Sequence, residues 1–539
     1  MQNPMTLLAK MAVGAALVFG PLTSHALAQD TPTRGVAGAF LSAKVSVARG
    51  DFAKMADSYD RLLLSAPENP GFLQLSMQGH LLAGHFDRAA ERASQVLARG
   101  DNSTVAALVM QADAFKREAY NAVFVGLENG VTGPLTDPMA RAWAELARGS
   151  MSDALSAFES VNAERADLAP FALYFKALAL AHVGDMERAQ ALLTGDAEGP
   201  ISLSRRGVIA QITILSQLGR MEDALALTDT MFGANPDEDV AKLRAALQDG
   251  RALPFDTITS AQDGMAETYF MLASALPAGR SDSLPLVYAR LALALRPDHG
   301  DAILLAGQLL ERAGQYSLAN AVYDTMPSDH PQYLGAQLGM ANALARSGDV
   351  AGAIDSLRAL SREKPESELV FSTLGDLLRR EEDFAQSEAA YASALDLLDT
   401  VEDRHWPLIY THAITLERLG KWELAEPQFR RALALAPDEP QVLNYLGYSL
   451  IDKGLKLDEA LDMIQRAVDA EPESGYIVDS LGWAYYRLGR YEDAVPVMER
   501  AVELMPTDPI LNDHLGDVYW AVGRAREARF QWRRGLSFG

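Results

Sequence analysis

Cysteine is absent from the 539-residue chain. That excludes disulfides, thiolate zinc sites, cysteine nucleophiles and a lipid anchor on a cysteine thioether, and leaves packing alone to supply stability. Basic residues are short as well: 48 Lys and Arg stand against 72 Asp and Glu, for a formal charge of −24. Such a surface repels nucleic acid and anionic lipid, which both require a basic footprint. Beyond residue 28 no apolar run approaches the length of a membrane-crossing helix. Catalytic signatures are missing too. The chain has no HExxH, GxSxG, GxGxxG or GxxxxGK[ST], and Gly420-Lys421 lacks the earlier glycine and the hydroxyl of a phosphate loop. The nine histidines are scattered: His80 and His85 flank a turn, and His405 and His412 lie two helical turns apart. The expectation is therefore no enzyme, no cofactor and no metal site.

What is present begins with an address. Lys10 precedes a short apolar run, Met11 to Leu22, followed by Ser24-His25-Ala26-Leu27-Ala28. This is the layout of a secretory signal with small residues at the cleavage site, so residues 1–28 are expected to be removed after Ala28. Residues 29–35 read as a short linker, and the mature protein is expected free in the periplasm, with neither membrane span nor lipid anchor.

The remainder is organised by a repeating phase. From Gly475 to Asp508 the order is Leu481-Gly482, Tyr485, Gly489, Tyr491, Ala494, Met498, Ala501 and Pro506. The next unit continues with Leu515-Gly516, Tyr519, Gly523, Ala528 and Trp532, and the preceding ones give Leu446-Gly447, Ala460, Pro472 and Gly420, Ala425, Phe429, Pro437. These spacings resemble the tetratricopeptide repeat, a helical hairpin of 34 residues. The small residues let the two helices approach closely, the glycines end the first helix, and the prolines stop the second. Weaker copies run upstream, with turns such as Gly50-Asp51-Phe52, Gly84-His85-Phe86, Gly184-Asp185-Met186 and Gly314-Gln315-Tyr316. The expected fold is all-α: a right-handed superhelical α-solenoid of about fourteen hairpins. The least clear hairpin is the one at 104–134. The phase breaks over 239–265, which holds one helix and then Gly250 to Thr259 with Pro254. That break predicts a joint between a divergent N-terminal solenoid, 36–238, and a C-terminal solenoid, 266–539. A shorter irregular stretch lies near Thr400 to His405.

In such solenoids the first helix of each hairpin lines a concave face. Projecting the closing units onto that face selects Tyr410 and Arg418, then Asn444 and Tyr448, then Asp479, Trp483, Tyr486 and Arg487, then Asp513, Asp517 and Trp520. Tyr485 and Tyr519 already serve as packing knobs, so the further aromatics are expected to anchor a bound peptide, with Asn444 pairing with an extended backbone. The alternative is packing against the adjacent turn. The last helix is basic: Arg524, Arg526, Arg529, Arg533 and Arg534 accompany the single acid Glu527. These arginines either solvate the end of the array or form a docking end for an acidic partner or a second copy of the chain.

The run from Tyr445-Leu446-Gly447-Tyr448 through Asp479-Ser480-Leu481-Gly482-Trp483 to Asn512-Asp513-His514-Leu515-Gly516-Asp517-Val518-Tyr519-Trp520 is similar to the C-terminal repeats of proteobacterial envelope tetratricopeptide proteins. One of these is a lipoprotein that partners a carboxyl-terminal processing protease. The resemblance implies a scaffold that brings envelope proteins or peptides to such a protease. The absent lipidated cysteine departs from that family and removes the membrane tether. The alternative is a scaffold in a polysaccharide-export or outer-membrane assembly machine.

Overall fold

The computed structural model describes residues 36–129, 132–164, 167–195, 201, 203–233, 238–276 and 283–538. The expected signal, 1–28, and the linker, 29–35, lie outside the described residues. Among those described there are 29 α-helices, one 3₁₀ turn (Asp403–His405) and no strand. The helices pair in sequence into fourteen hairpins, with Glu238–Gln248 left over. The hairpin at 104–134 is among them, as Thr104–Lys116 and Tyr120–Asn129. The architecture is an α-solenoid of helical hairpins, divided into two compact units, Met1–Ala353 and Ile354–Gly539.

The second unit shows how the repeat letters act. Asp508 caps the helix Pro509–Ala521 by accepting from the Ile510 and Leu511 amides, and Pro509 supplies a preset φ at its start. The helix Gly475–Arg487 closes at Gly489, whose φ of +74° lets the Arg490 amide reach back to the Tyr485 carbonyl at 2.9 Å. Close approach explains Gly482: a Cβ there would lie 2.7 Å from Met498 Cγ of the partner helix Tyr491–Leu504. From the other side, Ala425, Ala494 and Ala528 are fully buried. Successive first helices touch one another, Pro440–Lys453 against Gly475–Arg487 and the latter against Pro509–Ala521. Among the described contacts no such pairing joins successive second helices, so the first helices form the inner side of the curve.

The first unit departs from that plan. The expected joint, 239–265, is not where the chain divides; it lies inside the first unit. Its coil is strapped down. The Leu253 amide donates to Ser216 Oγ at 2.9 Å, the Thr257 carbonyl accepts from Arg206 and Arg296, and Ile258 is buried. The strap leads into the hairpin Ala261–Ala275 and Leu284–Leu295. This hairpin packs onto the first helices of the earlier repeats: Pro70–Ala83, Thr104–Lys116, Thr136–Ala147 and Ala169–His182. Those helices are accordingly buried nearly all round, with every residue from Ala172 to Ala181 shielded from solvent. Over residues 70–182 the inner face of the first unit is filled by the chain's own later hairpin.

Specific contacts lock it there. A Cβ on Gly264 would lie 2.5 Å from the ring of Trp143, which is fully buried and donates its indole N–H to Thr268 Oγ1 at 3.2 Å. Tyr269 donates to Gln111 Oε1 at 2.8 Å, and Arg290 Nε donates to the Leu82 carbonyl at 3.1 Å. Glu267 receives Arg206 at 2.8 Å, His299 at 3.2 Å and the Tyr174 hydroxyl at 3.3 Å. Burial alone would raise this carboxyl, but the Arg206 charge and the His299 contact outweigh it and hold it down at about 2.

Gly264→Ala is expected to destabilise the first unit by about 1–3 kcal/mol through overpacking against Trp143, read as a lower urea midpoint with an unchanged slope. Because the Glu267 pKa is depressed, its stabilisation is complete above about pH 4.5 and is lost as pH falls toward about 2. Urea midpoints measured across that range should fall less steeply in Glu267→Gln than in wild type.

Candidate functional site

The inner sides of the first helices between residues 70 and 182 are covered by the hairpin Ala261–Ala275 and Leu284–Leu295, whereas in the second unit side chains of the first helices reach solvent. Arg418, Arg487 and Asp513 are exposed, and Trp520 is 53% exposed. Tyr410, Asn444, Tyr448, Trp483, Tyr486 and Asp517 are half-buried, and Asp479 is buried. The selected residues thus divide into those that face solvent and those that build the wall behind them.

The wall is aromatic and charged. Trp483 stacks on His514 with ring centroids 4.1 Å apart and on Tyr486 at 4.9 Å. His514 Nδ1 meets both oxygens of Asp479, at 2.9 and 3.1 Å. Burial would lower the His514 pKa, but the hydrogen bond and charge of Asp479, reinforced by Asp513 and Asp517, raise it above the ordinary histidine value. Asp517 accepts the Trp532 indole N–H at 3.1 Å, while burial and then the Asp513 charge raise its carboxyl. Arg487 holds the Asp452 side chain at 2.9 Å and its carbonyl at 3.0 Å. Tyr410 packs edge-on to Phe429 and Tyr445, and Arg418 lies over the Phe384 ring. Trp483 therefore packs against the next repeat, and Tyr486 against Trp483 and Tyr491 of its own hairpin, as well as bordering the face. Two wall atoms, Asn444 Oδ1 and Trp483 Nε1, are shielded and without hydrogen-bond partners.

His514, Asp452 and Trp532 belong to the site although repeat projection did not select them. His514 follows Asp513 by one position, and that step turns it toward the preceding first helix, where Asp479 and Trp483 wait. A recess of about 330 Å³ was also not foreseen. The irregular stretch near Thr400 to His405 contributes Arg404 and His405 to its lining, together with Glu368, Asp376, Tyr391 and Thr411.

The five arginines of the last helix do not form one patch. Arg524 pairs with Glu499 at 3.0 Å and Glu527 at 3.2 Å and lies over Tyr519, and Arg534 donates to the Pro506 carbonyl. Arg526, Arg529 and Arg533 are exposed, and their spacing places them on one outward face of Ala525–Phe538 beside Phe530, which is 62% exposed.

Comparison with known proteins places tetratricopeptide repeats at residues 304–368, 410–474 and 453–509, by match to that family's model. A TPR repeat-containing protein of Pseudomonas aeruginosa is 30% identical over 162 residues, which are 30% of this chain and 27% of that protein. The chain therefore spans little more than a quarter of that relative's length. Among solved structures, the Cut9–Hcn1 hetero-tetramer of the APC/C is similar over 100% of this chain and 97% of its own, with 16% identity and a TM-score of 0.38. YrrB, a TPR protein with an unusual peptide-binding site, is similar over 33% and 88%, with 20% identity and a TM-score of 0.28. A tetratricopeptide repeat protein from Parabacteroides merdae is similar over 44% and 93%, with 13% identity and a TM-score of 0.38.

Because the His514 pKa is raised, the His514–Asp479 pair stabilises fully below about pH 6.5 and loses that contribution as pH climbs through the raised value. The urea-midpoint gap between wild type and His514→Gln should be wider at pH 6 than at pH 9; a gap independent of pH would mean that His514 contributes by packing alone.

Proposed function

We propose that this chain, which carries tetratricopeptide repeats over 304–368 and 410–509, is an exported periplasmic scaffold that holds other envelope proteins on the inner face of its second unit. Tetratricopeptide arrays generally act as protein-interaction scaffolds and are typically non-catalytic, because stacked hairpins offer an extended concave surface rather than an enclosed pocket. The observation that carries the reading is the contrast between the two inner faces. Over residues 70–182 the first is filled by the helices Ala261–Ala275 and Leu284–Leu295; the second presents Arg418, Arg487, Asp513 and Trp520 to solvent, backed by Trp483, Tyr486 and His514. Exposed polar groups around aromatic anchors are the composition of a surface that binds an extended segment of another protein. The signal-like segment ending at Ala28 supports the periplasmic address.

Within that role, the resemblance of the closing repeats to envelope partners of a carboxyl-terminal processing protease supports delivery of substrates to such a protease. The absence of cysteine supports a version that works without a lipid tether.

The test is affinity capture from periplasmic extract followed by mass spectrometry, with wild type beside a Trp520→Ala, Asp513→Asn double variant. Both changes are on exposed side chains, so melting should be unchanged while recovery of specific partners falls by about tenfold or more. Recovery of a processing protease together with other envelope proteins supports the adaptor reading. Recovery of export-machine subunits alone replaces it with the assembly-scaffold alternative, and equal recovery by both proteins moves the binding surface elsewhere.

A further inference from the structure

The second hairpin of the first unit carries an unusual pair at its turn. The helix Pro70–Ala83 ends at Gly84 with φ +93°, and the His85 amide reaches back to the His80 carbonyl at 2.8 Å. This backbone closure brings the side chains of the two linked residues together, a contact that apolar groups commonly make. At the same turn of other hairpins the linked residues are Leu180 and Asp185, Leu215 and Arg220, or Leu416 and Lys421. Here both are imidazoles, with His80 Nδ1 and His85 Nδ1 3.4 Å apart.

Three features fit that pair to a metal ion. The first is spacing. Two nitrogens each about 2.0–2.1 Å from one zinc ion, at a tetrahedral angle, stand roughly 3.3–3.4 Å apart. The second is the tautomer. His80 Nε2 lies 2.9 Å from Asp60 Oδ2, and a carboxylate there accepts the ring proton from Nε2. That leaves the His80 Nδ1 lone pair bare and aimed at His85, the carboxylate–histidine arrangement that supports metal-ligating imidazoles. Ser76, Arg88 and Arg92 hold the Asp60 carboxylate in place by hydrogen bonds of 2.6, 2.9 and 3.1 Å. The third is access: His80 is buried, but His85 is exposed, so an ion enters from solvent and keeps water in its remaining positions.

We infer that His80 and His85 form a two-histidine site, supported by Asp60, for a first-row transition ion with imidazole preference. Arg88 and Arg92 share the Asp60 charge, and Arg290 packs beside Gly84. Carboxylate attraction is therefore small, and binding rests on nitrogen donation, which selects zinc or copper over magnesium or calcium. Coordination would join the end of Pro70–Ala83 to the start of Phe86–Leu97 across the turn.

The probe is Zn²⁺ with the full-length protein, followed by calorimetric titration and by thermal melting, with Mg²⁺ as the control ion. His85→Ala leaves the buried Asp60–His80 pair intact, so the variant folds; His182→Ala controls for histidines elsewhere. Zn²⁺ should bind wild type and His182→Ala alike and raise their melting temperatures. His85→Ala should bind at least about tenfold more weakly, since losing a ligand costs no less than losing its supporting carboxylate. Equal binding by all three proteins, or no Zn²⁺ response in any, would overturn the site and leave the pair as a nitrogen-to-nitrogen hydrogen bond.

Discussion

The Glu267 carboxylate is the commitment on which the first unit depends. Shut away from water with Arg206, His299 and Tyr174, it would be stranded as a buried charge by loss of Arg206 and left short of a hydrogen bond by loss of either of the others. Arg206 extends the cluster to Asp301 and to the Thr257 carbonyl, so one network ties a helix of the sixth hairpin, the strap and the inserted hairpin into a single arrangement. The apolar lining of the earlier first helices would bind many neighbours; this network, with the Trp143 indole and the Gly264 contact, selects one. The hydrophobic effect supplies the drive and the polar cluster supplies the register.

The second unit is built on the other logic. Each hairpin needs only its neighbours, and the same small residues recur: Gly447, Gly482 and Gly516 against Ile464, Met498 and Trp532. Nothing in that packing consumes the polar side chains of the first helices, which are left to pair with one another across repeats or to meet solvent. The two units thus put one supersecondary motif to two uses, a closed body and an open face.

The repeat phase was legible in the sequence because steric close approach forces small residues at fixed intervals. The fourteen hairpins, the odd helix near 240 and the hairpin at 104–134 all follow from it. What the phase could not convey is where a hairpin goes once the phase breaks. Residues 239–265 read as a joint because Pro254 and Gly250 interrupt helices, yet the same break is the turn that sends Ala261–Leu295 inward. A signal was present: helices such as Ala169–His182 are apolar on every side, more than a hairpin stacked only on neighbours requires. At the candidate face, the solvent-reaching residues followed from position alone. His514 did not, because its role depends on the angle at which one first helix meets the next, and no spacing within a helix encodes that angle.

The inserted hairpin also changes how the chain must fold. Arg290 contacts Leu82 across 208 residues, Tyr269 contacts Gln111 across 158, and Trp143 contacts Thr268 across 125. A plain repeat array can nucleate anywhere and grow hairpin by hairpin, and the second unit retains that freedom. The first unit forfeits it, since its early hairpins carry apolar inner faces that stay uncovered until residue 295 is available. Long-range closure of this kind is slow and exposes sticky surface in the interval. The order of synthesis then matters: the early hairpins of the first unit emerge first, and their inner faces wait for residues 261–295.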